Sequence, residues 1–121
     1  MLSERDMADS PIRTKSFAFA LKIIRLSNKL QQQREFVISN QLTRAGTGIG
    51  SNVEEAQAGQ SRKDFLSKMA IASKEAREAK YWLRLIDKSG IAGVDVHEEL
   101  DDAEELIRIL TAIVKTAGRS K

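Results

Sequence analysis

The apolar residues of this chain recur at intervals of three and four positions, a spacing that predicts amphipathic helices rather than strands. Four such segments are separated by short polar or glycine-containing stretches around Gln33, Gly59 and Gly90. Ser10 followed by Pro11 is typical of a helix start, because serine caps helices well and proline is tolerated in the first turn. Four long helices joined by short turns predict an all-α fold, an antiparallel up-down-up-down four-helix bundle.

The first predicted helix runs from Pro11 to about Gln33 and carries two apolar stripes. One stripe consists of Phe17, Leu21, Ile24 and Asn28, and the other of Phe19, Ile23, Leu26 and Leu30. A helix that packs against a single core needs only one stripe. The second stripe predicts that this helix is covered on more than one side, and therefore that the protein is a homo-oligomer.

The second predicted helix, from about Glu35 to Gln57, contains three glycines among its inward apolar residues. The glycines are Gly46, Gly48 and Gly50, and the inward residues are Ile38, Leu42, Ala45, Ile49, Val53 and Ala56. Each glycine in a helix costs about 1 kcal/mol relative to alanine. We expect the close approach of another backbone to compensate for this cost. Gly59 is expected to end the helix in the left-handed conformation.

The third predicted helix begins with the sequence from Ser61 to Asp64, which is typical of a capping box. Its apolar residues follow a strict heptad: Phe65, Met69, Ala72, Ala76, Ala79, Leu83 and Ile86. The alanines in the middle are expected to face the glycines of the second helix. Gly90 ends this helix and Asp95 caps the fourth, whose inward residues are Leu100, Ala103, Ile107, Leu110, Val114 and Ala117. The predicted domain organisation is a disordered segment over 1–10, the bundle over 11–117 and a frayed tail over 118–121.

The composition excludes several classes of function. The chain of 121 residues contains no cysteine, which excludes disulfides and thiolate chemistry, and only one histidine, His97, which we expect at the surface. No nucleophile–base pair or metal-ligand spacing occurs, so we predict a non-enzymatic protein without metal or cofactor. The first residues lack the apolar core of a signal peptide, and no apolar run is long enough to cross a bilayer. We therefore expect a cytoplasmic location and no membrane partner.

The net charge of +3 conceals a strong segregation of charge along the chain. Residues 11–34 contain six basic residues and no acidic one, whereas residues 95–117 contain seven acidic and two basic residues. Two basic sets are candidates for binding phosphate groups. They are Lys15, Lys22, Arg25 and Lys29 on the first helix, and Arg62, Lys63, Lys74, Arg77, Lys80 and Arg84 on the third. The alternative is that the bases form a solvated face or pair with the acidic fourth helix.

The sequence from the second predicted helix into the start of the third carries a specific motif. Arg44, Ala45, Ile49, Asn52, Val53, Glu55 and Ser61 to Phe65 match the pattern RA-x-x-SI-x-x-NI-x-E-G followed by S-K/R-K-E/D-F. In this motif the chain resembles the bacterial four-helix-bundle family first noticed in intervening sequences of 23S ribosomal RNA genes. Gly48 replaces the usual serine and Ala56 the usual glycine, differences that affect local packing.

The resemblance implies a homopentameric barrel of four-helix bundles without established catalytic activity. It also implies a relationship to the accessory protein of diversity-generating retroelements, a basic pentamer that works with a reverse transcriptase and nucleic acid. The sequence therefore leaves two functions open. The first is an oligomer that presents a basic surface to RNA or DNA, with a reverse transcriptase or another enzyme as a further partner. The second is a purely structural oligomer or protein adaptor, in which the positive first helix meets the negative fourth helix across subunits.

The polar residues of the motif and the two neighbouring aromatic residues are expected to have structural roles. Arg44, Asn52 and Glu55 are expected to form a hydrogen-bonded network that fixes helix register or subunit pairing, with a ligand or RNA contact as the alternative. Tyr81 and Trp82 are expected at the edge of the core or in an interface. Because the sequence suggests no exposed aromatic residues among the bases, any nucleic-acid binding is expected to be directed at the backbone.

Overall fold

The computed structural model describes residues 10–119, which form four long helices. Helix α1 spans Pro11–Gln32, α2 Phe36–Gln57, α3 Arg62–Ser89 and α4 His97–Arg119, with a 3-10 turn at Ile91–Gly93 before α4. Each helix packs against the next one in sequence, and α1 closes the bundle against α4. The predicted all-α four-helix bundle is confirmed. Residues 1–9 and 120–121, which include most of the predicted disordered segment and the end of the predicted tail, lie outside the described residues.

The helix ends follow the local chemistry of the sequence in most places. Ser10 occupies the N-cap position in an extended conformation, but its side chain accepts no capping hydrogen bond, contrary to the prediction, and Pro11 occupies the first turn of α1. The hydroxyl oxygen of Ser61 accepts a hydrogen bond from the Asp64 N–H at 3.1 Å, which confirms the predicted cap of α3. Gly90 ends α3 with a φ of 70°, the left-handed conformation that glycine adopts without steric cost.

The prediction for Gly59 was wrong. The left-handed glycines among residues 10–119 are Gly90 and Gly93, and the residue that caps the end of α2 is Ala58, with a right-handed φ of −84°. Gly59 is needed for a different reason, because a Cβ atom there would lie 3.1 Å from the Ala56 carbonyl oxygen and 3.3 Å from the Asp64 Cβ. The glycine lets α3 begin close to the end of α2.

The core contains one apolar stripe from each helix, and in α4 Leu106, outside the predicted inward set, is buried more completely than the predicted Leu100 and Ile107. The heptad of α3 from Met69 to Ile86 is fully buried, as is the α1 stripe that contains Phe19 and Ile23. The other α1 stripe points to solvent: Phe17 is 65% exposed, Leu21 40% and Ile24 51%. Among residues 10–119, α1 is therefore covered on one side only, and none of these residues buries its outer apolar stripe.

The glycines of α2 are explained mainly by α1 rather than by the alanines of α3. A Cβ atom on Gly46 would lie 2.8 Å from two side-chain carbons of the buried Ile23, and one on Gly50 would lie 3.5 Å from the Ser16 carbonyl oxygen. A Cβ atom on Gly48 would point toward α3, where it would lie 3.0 Å from a carboxylate oxygen of Glu75. None of the atoms nearest to these three positions belongs to an alanine of α3, contrary to the expectation.

Candidate nucleic-acid interface

The basic residues at the start and middle of α1 face acidic residues of α4 in the same subunit. The Lys15 ammonium lies 3.1 Å from a Glu105 carboxylate oxygen. Lys22 binds two carboxylates, that of Glu98 at 2.5 Å and that of Asp102 at 2.6 Å. Hydrogen bonding to Asp102, and then to Glu98, raises the pKa of Lys22 well above its ordinary value. These two lysines are therefore neutralised by contacts within the chain.

Arg25 and Lys29 lie further along the same face of α1, beside the end of the loop that leads into α4. They line an open cavity of about 450 Å³, and the opposite wall carries Asp95, Glu98 and Glu99. Carboxylates on this wall oppose an anionic ligand such as phosphate. The α1 set of bases therefore borders acidic side chains along its whole length.

The bases of α3 have a different environment. Lys63, Lys74, Arg77, Arg84 and Lys88 follow intervals of 11, 3, 7 and 4, which place them on one face of the helix; we call this set the α3 basic stripe. All five residues are exposed, and within residues 10–119 none of them forms an ion pair. The predicted residue Lys80 differs, since its ammonium lies 3.6 Å from Glu104 of α4. The predicted residue Arg62 is exposed at the start of α3.

Helix α4 adds two basic residues that the sequence analysis did not select. The Arg77 guanidinium donates a hydrogen bond to the Thr111 hydroxyl at 3.2 Å, so this part of α4 adjoins the α3 basic stripe. Arg108 and Lys115 lie three positions before and four positions after Thr111 and share its face. Their spacing of seven is a signal in the sequence, but the seven acidic residues around them concealed it.

An exposed aromatic ring lies within the α3 basic stripe, contrary to expectation. Tyr81 is 54% exposed, whereas the adjacent Trp82 is partly buried against the core. The two rings meet edge to face, with their centroids 5.2 Å apart and an angle of 70° between their planes. Tyr81 also borders a shallow cavity of about 460 Å³, whose other lining residues are Ala70, Ser73, Lys74, Arg77 and Glu78.

The motif residues Arg44, Asn52 and Glu55 do not contact one another. The Asn52 amide donates a hydrogen bond to the Gly48 carbonyl at 2.8 Å within α2, and Glu55 lies 3.8 Å from the Lys68 ammonium of α3. Ile49, between them in the motif, is fully buried in the core. The three polar residues thus make separate contacts, two of which join α2 to α3.

Arg44 makes the strongest of these contacts. Its guanidinium lies 2.5 Å from a Glu78 carboxylate oxygen and 3.4 Å from one of Glu75, both on α3. The hydrogen bond to Glu78 raises the pKa of Arg44 above its ordinary value. Arg44 therefore compensates the negative charge of Glu78, the one acidic residue that lines the cavity beside Tyr81.

His97 is exposed at the start of α4 and contacts two aspartates. Its ring nitrogen Nδ1 lies 2.7 Å from the Asp95 carboxylate, and Nε2 lies 3.8 Å from that of Asp87. The contact with Asp95, followed by the charge of Asp87, raises the pKa of His97. The Asp95 carboxylate also accepts the backbone N–H of His97 at 3.0 Å, as a residue that caps α4 should.

The described residues contain no group of three or more side chains arranged to hold a metal ion. Over the same range, none of the helices combines the length and the hydrophobicity that a membrane-spanning segment needs.

Comparisons with known proteins agree with the motif. The model of the 23S rRNA-intervening sequence protein family matches residues 8–112. A solved structure from Bacteroides thetaiotaomicron VPI-5482, described as a protein with unknown function from the S23 ribosomal protein family, is 39% identical to this chain. Its alignment covers 86% of this chain and 98% of the other, with a TM-score of 0.81. No curated protein matches the chain. The family match spans most of the four-helix bundle, and this chain belongs to the family of 23S rRNA-intervening sequence proteins.

Proposed function

We propose that this protein is a non-enzymatic homo-oligomer that binds RNA or DNA through the outer face of α3 and the adjoining part of α4. The observation that carries the proposal is the α3 basic stripe, whose five bases form no ion pair within residues 10–119. Phosphate groups that contact such bases release counterions, which makes binding strong at low salt and weak at high salt. The α1 bases are excluded from this surface because carboxylates of α4 neutralise or border them.

The apolar stripe Phe17, Leu21 and Ile24 supports the oligomeric part of the proposal. An exposed apolar stripe on a helix that is otherwise well packed is typical of a protein interface. A ring would repeat the α3 basic stripe once per subunit, so that several weak phosphate contacts act together on one strand. The pentameric state and the partner enzyme implied by the resemblance remain predictions.

The same apolar stripe also favours the competing function, an oligomeric scaffold or protein adaptor that binds no nucleic acid. In that function the bases of α1 were expected to meet the acids of α4 across subunits. The ion pairs of Lys15 and Lys22 are formed within one chain, which favours an interface built from apolar contacts instead. The two functions differ in whether the α3 basic stripe binds phosphate.

Fluorescence anisotropy with labelled single- and double-stranded RNA and DNA, at rising salt, tests the proposal. We expect binding below about 10 µM at low salt and a linear fall of log K with log salt. The variant Lys74→Gln/Arg77→Gln/Arg84→Gln should weaken binding and flatten the salt slope, since each lost phosphate contact reduces the slope by about one.

The matched control is Lys15→Gln/Arg25→Gln/Lys29→Gln, which removes the same charge from α1 and leaves Lys22 in place. This variant should bind almost as well as the original protein. Equal losses in both variants would indicate a general effect of net charge rather than a site on α3. Absence of salt-dependent binding to every probe would contradict the proposal and favour the scaffold.

A further inference from the structure

The position of Tyr81 requires an explanation that the phosphate contacts do not supply. Its interval of seven from Lys74 and from Lys88 places the ring in the middle of the α3 basic stripe. More than half of the side chain is in contact with solvent. The edge-to-face contact with the partly buried Trp82 restricts the ring, so a ligand that stacks on it meets an ordered surface.

The cavity beside Tyr81 has room for a planar group. Its volume is about 460 Å³, and the small side chains of Ala70 and Ser73 leave space on the side toward the start of α3. All of its lining residues belong to α3, so it is an open depression on one face of the helix, against which a planar group can lie. One side of it is aromatic, and Lys74, Arg77 and Glu78 carry charge.

The charges around the cavity favour an anion. Lys74 and Arg77 line it, and the Arg77 guanidinium is oriented by the neutral Thr111 hydroxyl at 3.2 Å, which leaves its positive charge uncompensated. The carboxylate of Glu78 would oppose an anion, but the Arg44 guanidinium binds it at 2.5 Å. An aromatic ring next to two cations is the arrangement that binds a nucleotide, with the base stacked and the phosphate paired.

We propose that Tyr81 is a stacking site for an unpaired base, with Lys74 and Arg77 binding the neighbouring phosphates, so that the ligand is a single-stranded nucleic acid. Within a duplex both faces of a base are covered by its neighbours, so the ring can stack only on a base that is unpaired or turned out. The inference rests on the proposed function, since it specifies the ligand of the same surface. It also replaces the expectation that binding is directed at the backbone alone.

The test measures affinity for a short single-stranded oligonucleotide, for the same strand carrying abasic positions, and for its duplex. In Tyr81→Ala we expect about a tenfold weaker affinity for the intact strand, within the range measured for loss of one stacked base. Affinity for the abasic strand and the duplex should not change. Tyr81→Phe keeps the ring and should bind as the original protein does.

Leu85→Ala is the matched control, because it removes another exposed apolar side chain one turn further along the same helix. A strand containing 2-aminopurine adds a direct readout, since its fluorescence should be quenched by the original protein and by Tyr81→Phe but not by Tyr81→Ala. Sedimentation of Tyr81→Ala should give the same mass as the original protein.

Three outcomes would overturn the inference. The first is an unchanged affinity of Tyr81→Ala for the intact strand, and the second is an equal loss on intact, abasic and duplex probes. The third is dissociation of the oligomer in Tyr81→Ala, which would make the ring an interface residue. In each case salt-dependent binding that requires Lys74 and Arg77 would leave the proposed function standing. No binding to any probe by the original protein would end both.

Discussion

At the scale of single residues, Gly46 shows how a position that weakens a helix can strengthen the bundle. The residue is fully buried on α2, and a Cβ atom there would lie 2.8 Å from two side-chain carbons of Ile23 on α1. Ile23 cannot turn away, because it is itself fully buried and β-branched side chains have few accessible rotamers. The glycine lowers the helix propensity of α2, but it permits the close packing of α1 on α2.

This packing predicts a stability difference between two glycines of the same helix. Gly46→Ala should lower the free energy of unfolding by up to roughly 2 kcal/mol, since overpacking costs about 1–3 kcal/mol and the gain in helix propensity offsets about 1 kcal/mol. Gly50→Ala is the matched control. Its nearest neighbour would be at an ordinary 3.5 Å, so it should be neutral or stabilising by up to about 1 kcal/mol.

Urea titrations at one fixed protein concentration measure both variants, because oligomerisation makes apparent stability depend on concentration. The cost of Gly46→Ala should shrink in an Ile23→Ala background, where the obstructing carbons are absent. The same destabilisation by both glycine substitutions would contradict this account of Gly46.

Individual residues also mark where reasoning from the sequence succeeded and where it did not. The buried heptad from Met69 to Ile86 could be predicted, because helical periodicity fixes which side chains share a face. The neighbour of Gly46 could not, since periodicity does not say which helix lies opposite. Gly59 was misjudged because a glycine after a helix serves either a left-handed φ or a close approach, and the sequence does not distinguish them.

At the scale of helices, α1 and α4 are joined by opposite charges along their shared boundary. Lys15 pairs with Glu105. Lys22, two helical turns further along α1, lies between Glu98 and Asp102. The segregation of charge along the sequence offered this pairing as one alternative, beside a solvated face and a surface that binds phosphate. The partner could lie in the same chain or in a neighbouring one, and only the packing of the folded helices distinguishes these cases.

This boundary predicts that Lys22→Glu destabilises the bundle. The substitution removes two ion pairs and places a third carboxylate beside Glu98 and Asp102, so the free energy of unfolding should fall by roughly 1 kcal/mol, as exposed pairs each contribute less than that. Arg84→Glu, at an exposed base of the α3 basic stripe that forms no ion pair within residues 10–119, should change it by less than about 0.5 kcal/mol. Chemical denaturation at low salt measures the difference.

Two further measurements separate pairing from general effects of charge. Adding Asp102→Lys to Lys22→Glu should restore part of the lost stability, because the pair is re-formed with its charges exchanged. The cost of Lys22→Glu should also shrink near 1 M salt, where the Debye length is about 3 Å. An unchanged cost in high salt would indicate that packing of the lysine stem, rather than its charge, joins α1 to α4.

At the scale of the whole molecule, the pairing of α1 with α4 determines where uncompensated positive charge lies on the surface. The total of +3 is small, yet the two most strongly charged segments of the chain largely cancel each other. The positive surface that remains lies on α3 and the adjoining part of α4. The sequence supplied the bases of α3 as candidates, but it could not rank them above those of α1, because cancellation depends on tertiary neighbours.

The outer apolar stripe of α1 yields the last prediction, the assembly of the protein. The original protein should sediment well above the 13.5 kDa of one chain, near five times that mass if the pentamer is formed. Phe17→Glu/Ile24→Glu should sediment as a monomer and keep its helical circular dichroism. Both side chains point away from the core, so charge there opposes association without disturbing the subunit.

The control makes the same chemical change on α3. Ile71→Glu/Leu85→Glu also replaces two exposed apolar residues, and it should leave the oligomer assembled. If only this variant dissociates, the interface lies on α3, and the neighbouring subunit would occupy the same surface as the α3 basic stripe.

If the α1 variant is monomeric as expected, its affinity for a long nucleic-acid strand should fall by a hundredfold or more, since avidity of about 10²–10⁴ is lost with the linked sites. Its affinity for a strand that occupies only one subunit should be unchanged, because the α3 basic stripe is complete within each chain.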